Sequence, residues 1–362
     1  MILRAVIASI LLTAGIASAE TIRIGVSAPM TGIQAPSGLD VSAHLVAAMD
    51  QLNSSGAFGL HRGELTVLDD VYDPEKTKSN VIQLIREKKV HLLMSQIGSA
   101  HINASLPAIQ GSGVTLFAPL AGPSSIYADS LRPSIVTLRG SYVDEVRQQI
   151  RLLNSMGVTS VAVVYQDDAF GKDILAAWAT HSPATGIALV SQVPVPRGVS
   201  AIEPMIDSAL AKSPGAVILA LVSTPALRAA KYVKLKRENA VFSMLMSVAA
   251  TSEVIEALKA SGKGAVLFSS VMPLPSSGSS HLLLEYADLR KKYKLQPSFR
   301  GLEAYVALRI VADQVRKMPT VTPQTLGLAL SAAQGFTVSD LVIRTREPRF
   351  ADVFAITRSG VL

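Results

Sequence analysis

The side chains able to do chemistry in this 362-residue chain are scattered rather than assembled. Six histidines, His44, His61, His91, His101, His181 and His281, stand far apart, with no H-E-x-x-H and no other metal-type spacing. Carboxylates gather twice. Asp69, Asp70 and Asp73 close one strand pattern and open a helix, and Asp167-Asp168 follow another strand, so end and cap roles account for both groups. There is no cysteine and no G-x-S-x-G elbow. Ser261-Gly-Lys-Gly264 has the lysine of a phosphate loop without the upstream glycine, and Gly25-Val-Ser-Ala-Pro-Met-Thr-Gly32 lacks the dinucleotide spacing. No nucleophile–base pair emerges. No catalytic residue, metal or cofactor is therefore expected.

What remains is loop chemistry. Small and hydroxylic residues recur just past strand-like segments: Thr31 and Ser37 in 28–38, Ser99 in 96–103, Ser124 and Ser125 in 119–125. A second series follows in 166–171, 223–225 and 247–251. Turn and cap roles remain open for each of them. Ser99-Ala-His-Ile also opens a helix pattern, and the free N–H groups of a helix start favour an anion such as a carboxylate. Open α/β sheets bind ligands outside the carboxyl ends of their strands. Two such loop sets facing one another would form a cleft.

The elements that must carry these loops alternate regularly. Apolar, strand-length runs at 21–27, 64–69, 90–95 and 114–118 are separated by helix patterns at 41–52, 74–88 and 102–110. Asp73 before Pro74 is a cap signal, as is Ser141 with Asp144 and Glu145 ahead of a helix running to about Met156. A second cycle places strands at 160–165, 187–193, 216–222, 241–246 and 265–271, with helices at 170–180, 202–212, 224–238 and 252–259. Repeated strand–helix–strand units with Val/Ile/Leu-rich strands call for parallel sheets covered on both faces. After the linker-like stretch 272–280 come helices at 281–292 and 299–317, a short helix from Thr322-Pro323, and strands at 336–343 and 349–357. These late pieces are too few for a third domain and are expected to complete two lobes.

Residues 1–19 read as a cleavable secretion signal: one basic residue (Arg4), an apolar stretch, and the ending Ala17-Ser18-Ala19. Its apolar core is shorter than the roughly 20 residues a spanning helix needs. Removing 19 of 362 residues leaves 343, enough for about two domains. The formal charge of +7 becomes +6 without Arg4 and is scattered, so solvated helix faces are expected rather than a nucleic-acid surface.

The opening Ile22-Arg-Ile-Gly-Val-Ser-Ala-Pro-Met-Thr-Gly32 resembles that of the periplasmic solute-binding proteins of the branched-chain amino-acid (leucine-binding protein) type. Asp69-Asp-Val-Tyr-Asp-Pro74, Gly113-Val-Thr-Leu-Phe-Ala-Pro119, Val161-Ala-Val-Val-Tyr-Gln-Asp-Asp-Ala-Phe-Gly171 and Gly301-Leu-Glu-Ala-Tyr305 agree in order. The resemblance implies an α/β, type I binding-protein fold: two Rossmann-like lobes with parallel sheets joined by three crossover segments. The implied crossings lie near 138–140, 271–273 and 336–340, with lobe 1 at 20–139 plus 273–338 and lobe 2 at 140–272 plus 339–362. It also implies a periplasmic protein cleaved after Ala19 that captures a small molecule by lobe closure, for the permease and ATPase of an ABC importer in the inner membrane. The alternative is a receptor docking to a signalling membrane protein. On this pattern the ligand contacts are Thr31, Ser99, His101, Ala121, Gly122, Tyr142, Gln166, Phe170, Ser223 and Ser247. The acidic residue expected to hold a ligand ammonium falls near 247–250, which has no carboxylate; Glu253 is the nearest. A buried ammonium without a countercharge is strongly disfavoured. A small organic or aromatic carboxylate is therefore expected in preference to an α-amino acid.

Overall fold

In the computed structural model, residues 19–237, 241–261, 265–346 and 349–362 are described; the signal-like segment 1–18 lies outside them. The first unit holds strands β1 (Thr21–Ala28), β2 (Arg62–Asp69), β3 (Leu92–Met94), β4 (Thr115–Phe117) and β5 (Ile135–Val136). The second holds β6 (Ser160–Gln166), β7 (Ala188–Val195), β8 (Ala216–Ala220), β9 (Phe242–Leu245) and β10 (Val266–Ser270). The first sheet runs β2-β1-β3-β4-β5, and all its pairings are parallel. The second begins β7-β6-β8-β9-β10 and adds β13 (Asp352–Thr357) and β14 (Gly360–Val361) as antiparallel strands. One doubly wound strand order thus occurs twice. Each copy has its switch point beside its first strand, where such sheets open a crevice.

Helices cover both sheets. α1 (Ala35–Ser54), α2 (Pro74–Arg86) and α3 (Ser99–Ile109) belong to the first unit. The second carries α4 (Tyr142–Ser155), α5 (Ala169–His181), α6 (Glu203–Leu210), α7 (Ser223–Arg237) and α8 (Ser252–Ala260). α9 (His281–Tyr293), α10 (Phe299–Arg316) and α11 (Pro323–Ala332) return to the first, where α10 packs along α1. The caps are side-chain chemistry. Asp73 accepts from the N–H groups of Glu75 and Lys76 at 2.8 and 2.9 Å, and Ser141 and Asp144 exchange the two bonds of a capping box.

The turn after the first strand of each sheet demands a glycine. A Cβ on Gly38 would stand 2.0 Å from the Pro29 carbonyl oxygen, and one on Gly171 2.1 Å from that of Gln166. Helix and strand end approach so closely at both places that only a hydrogen fits.

The chain leaves the first sheet after Val136 and enters the second unit at α4; it returns between β10 and α9. Near the expected third crossing the chain folds back on itself. Segment 336–343 is a hairpin, β11 (Gly335–Val338) with β12 (Leu341–Arg344), turning at Ser339 with φ +55°. Phe336 packs edge-on against Phe117 of the first sheet. The next strand along the chain, β13, belongs to the second sheet. Among the described residues, no helix is long and apolar enough to cross a membrane.

Candidate ligand-binding site

The carboxyl ends of both sheets face each other across a narrow, nearly closed cavity of about 10 Å³. Lobe 1 lines it with Gln34 from the β1–α1 loop, Tyr72 from the β2–α2 loop, Ile97, Gly98 and Ser99 at the start of α3, and Leu120 and Ala121 past β4. Lobe 2 adds Tyr142, Phe170, Val222 and Val248, and α10 contributes Arg300. The walls are mainly aliphatic and aromatic, with Phe170 edge-on to Tyr142 at 5.2 Å. Ser99 Oγ lies 3.4 Å from the Tyr142 hydroxyl, joining the two lobes. None of these lining residues is acidic.

Arg300 is the single charge among them, and only 4% of it is exposed. Its Nη2 donates to the Val248 carbonyl across the cleft, while Nε and Nη1 have no hydrogen-bond partner. Burial, and then the neighbouring Arg139 cation, make its guanidinium less basic than usual. A buried cation with open donors is costly until an anion meets it.

Behind the cavity lies a buried polar cluster. Arg139, in the first crossing, is 3.4 Å from Glu145 of α4 and 3.9 Å from Glu303 of α10. Burial works against its charge, but the carboxylates of Glu303 and Glu145 outweigh that and keep it strongly basic. Glu145 accepts from the Ser247 N–H at 2.9 Å, from Ser247 Oγ at 2.7 Å, and from Ser269 Oγ at 2.5 Å. Glu303 Oε1 has no partner, and burial pushes its carboxyl up.

The residues expected from sequence divide. Ser99, Ala121, Tyr142 and Phe170 line the cavity. Gly122 lies beside it, its carbonyl accepting from the Tyr142 N–H at 2.8 Å. The others contact protein. Thr31 is exposed and donates to Asp69 at 2.6 Å. Gln166 donates to Asp168, the cap of α5, and Ser223 Oγ meets Ser37 Oγ at 3.3 Å. Ser247 serves the Glu145 cluster. His101 is buried beneath Tyr72, rings 4.4 Å apart, and burial pulls its imidazole down to about 4. Gly98 is required beside it, since a Cβ there would stand 2.3 Å from His101 Nδ1.

The turn 247–249 brings no acid to the cavity, and Glu253 lies on an exposed groove with Ser252 and Phe299. Asp69, Asp70 and Asp73 are occupied by loop and cap bonds. Among the described residues, no group of three or more His, Cys, Asp and Glu is arranged to hold a metal.

Sequence reasoning missed Arg300. Its signal is present, however: Arg300 and Glu303 are the charges in the otherwise apolar opening of a helix buried nearly all round. Tyr72 lies inside the Asp69–Pro74 motif, with nothing local to mark it as a wall residue.

The cavity lies between two doubly wound sheets, and the family model for periplasmic binding proteins matches residues 21–349. The chain belongs to the periplasmic binding protein family. Members of this family bind ligands and are not enzymes. Among solved structures, this periplasmic binding protein is similar to a substrate-binding periplasmic protein from Ralstonia solanacearum (TM-score 0.85, 23% identity, 94% of this chain and 99% of that one). It is also similar to a leucine binding protein from Thermotoga maritima (0.83, 16%, 94% and 97%). A third is an ABC transporter solute binding protein from R. palustris in complex with 4-hydroxybenzoate (0.78, 19%, 94% and 89%). At these identities the likeness concerns the fold alone. A search of the curated proteins found no match.

Proposed function

We propose that this protein captures a small organic monocarboxylate lacking an amine, with an aromatic or branched apolar body, and delivers it to an ABC importer. One observation carries the ligand class: the cavity's single charge is a buried arginine with unpartnered N–H groups, and no lining residue is acidic. An α-amino acid would bring an ammonium with no countercharge to receive it. The carboxylate would lie against Arg300 and the start of α3, where Ser99 and the first helical N–H groups add donors. The body would pack among Tyr72, Tyr142, Phe170 and the aliphatic wall. That the R. palustris protein of the same fold holds 4-hydroxybenzoate agrees with this chemistry.

Closure follows from the same contacts. Arg300 of lobe 1 already reaches the Val248 carbonyl of lobe 2, so an anion on its free donors strengthens a group that bridges the lobes. A ligand that binds the closed form better shifts the population towards it. The mature protein would begin at Glu20, and a permease with its ATPase would read the closed form in the periplasm. Calorimetric titration of the mature protein with benzoate and 4-hydroxybenzoate tests the ligand class, and uptake by inner-membrane vesicles carrying the importer tests the transport role. Absence of binding to any amine-free carboxylate would overturn the first, and uptake independent of the protein the second.

A further inference from the structure

Tyr72 lines the cavity from lobe 1, and two flat groups lie against its ring. His101 of the same lobe stacks at 4.4 Å with the planes 28° apart. The Arg197 guanidinium, from the loop after β7 in lobe 2, sits 4.9 Å from the ring centroid. Arg197 is aimed by its own lobe: its Nε is 3.6 Å from Asp168, and Asp168 is fixed by capping α5 through the N–H groups of Phe170 and Gly171. With 34% of the Arg197 side chain exposed, this contact lies at the rim of the cleft. A cation over a tyrosine is attracted by the negative ring face, more strongly where water is partly excluded. Other described links between the lobes include Ser37 with Ser223, Ser99 with Tyr142, the Ser124 N–H with Asp173, Arg300 with a carbonyl, and Arg349 over Tyr127, which does not line the cavity. None of these lays a cation from one lobe on an aromatic wall residue of the other.

We propose that Arg197 is a latch: its guanidinium stacks on Tyr72 when the lobes close, holding the wall of the cavity in place and slowing ligand release. The inference rests on the reading that the lobes open and close around a ligand. It does not depend on which ligand that is, because the latch contact is made by protein groups alone. Losing it should lower the closed-to-open ratio by about twofold to thirtyfold. Release should quicken by a similar factor, since a contact absent from the open form mainly sets the off-rate.

The chain has no cysteine, so two introduced ones report the lobe separation cleanly. Lys76→Cys on α2 and Ala176→Cys on α5, both exposed, carry a dye pair for single-molecule energy transfer, without ligand and with benzoate. Arg197→Met should move the population towards the longer separation and speed benzoate release, with a melting temperature within a few degrees of the parent. Arg197→Lys, which keeps a cation, should recover some of both effects. An Arg197→Met variant with the parent's distance distribution and off-rate would overturn the latch while leaving the receptor reading intact. A single unchanging separation in the parent protein would overturn lobe closure and the latch with it. Closure in the parent without benzoate binding would instead count against the ligand class, and the ligand-free distances would still decide the latch.

Discussion

Arg300→Met separates binding from stability in a way few substitutions in this protein can. Arg300 is 4% exposed, donates one bond to the Val248 carbonyl, and leaves Nε and Nη1 unpartnered. In the ligand-free protein it is a desolvated cation whose nearby acid Glu303 is shared with Arg139. Methionine nearly conserves its volume and removes that desolvation cost. The Val248 carbonyl loses a donor, worth about 1–3 kcal/mol. Glu303 loses a neighbouring cation but is already pushed towards its neutral form by burial. These changes oppose one another, so the ligand-free variant should melt within a few degrees of the parent. Binding has no such compensation. A carboxylate left in the cavity without its arginine forfeits roughly 2–5 kcal/mol, a weakening of about 30-fold to 5,000-fold. Calorimetry with an amine-free carboxylate, paired with a thermal melt without ligand, reads both quantities. Unchanged affinity in a folded Arg300→Met protein would refute the assignment of the anion site.

Other expectations follow from the same geometry. Because burial holds His101 at about 4 against an ordinary value near 6.5, the unfolded chain binds the extra proton between those values. Stability is therefore full above about pH 6.5 and falls by about 3 kcal/mol as the pH drops through 4. Urea unfolding at pH 7 and about pH 4.5 should show the loss, and His101→Phe should flatten it. Glu145→Ala leaves Arg139 with Glu303, 3.9 Å away, as its remaining acid and strips a partner from Ser247 and Ser269, costing about 3–5 kcal/mol in urea unfolding. An unchanged midpoint would mean the cluster is not coupled to folding. Gly38→Ala would set a methyl 2.0 Å from the Pro29 carbonyl oxygen, and it should lower the melting temperature markedly where Gly278→Ala, whose methyl would meet nothing closer than 3.9 Å, costs far less.

The alternation of elements was legible because it is local. The strands of 160–166 and 216–220 announce themselves by apolar runs, and Asp73-Pro74 and Ser141 announce helix starts. Nonlocal facts were not. The hairpin at 335–344 depends on a turn at Ser339 and on Phe336 finding Phe117, neither of which a run of mostly apolar residues reveals. The candidate site was half legible for the same reason. Most of its loops carry a sequence signal, but a loop does not say which way its side chains point. Ser223, Gln166 and Ser247 turn to protein partners, and Ser247 meets an acid 102 positions away. Arg300 escaped notice because its helix reads as core, and its exposure to the cavity depends on how the lobes meet.

The central claim is that the cavity receives an anion without an ammonium. Matched ligand pairs test it most directly: leucine against 4-methylpentanoate, and phenylalanine against 3-phenylpropanoate, in a thermal-shift titration of the mature protein. A ligand at about 100 times its dissociation constant adds about 2.7 kcal/mol of stability, which the melt resolves readily. At least one amine-free acid should shift the melt, and its amino-acid partner should not. A shift from leucine or phenylalanine, with none from the matching acids, would contradict it.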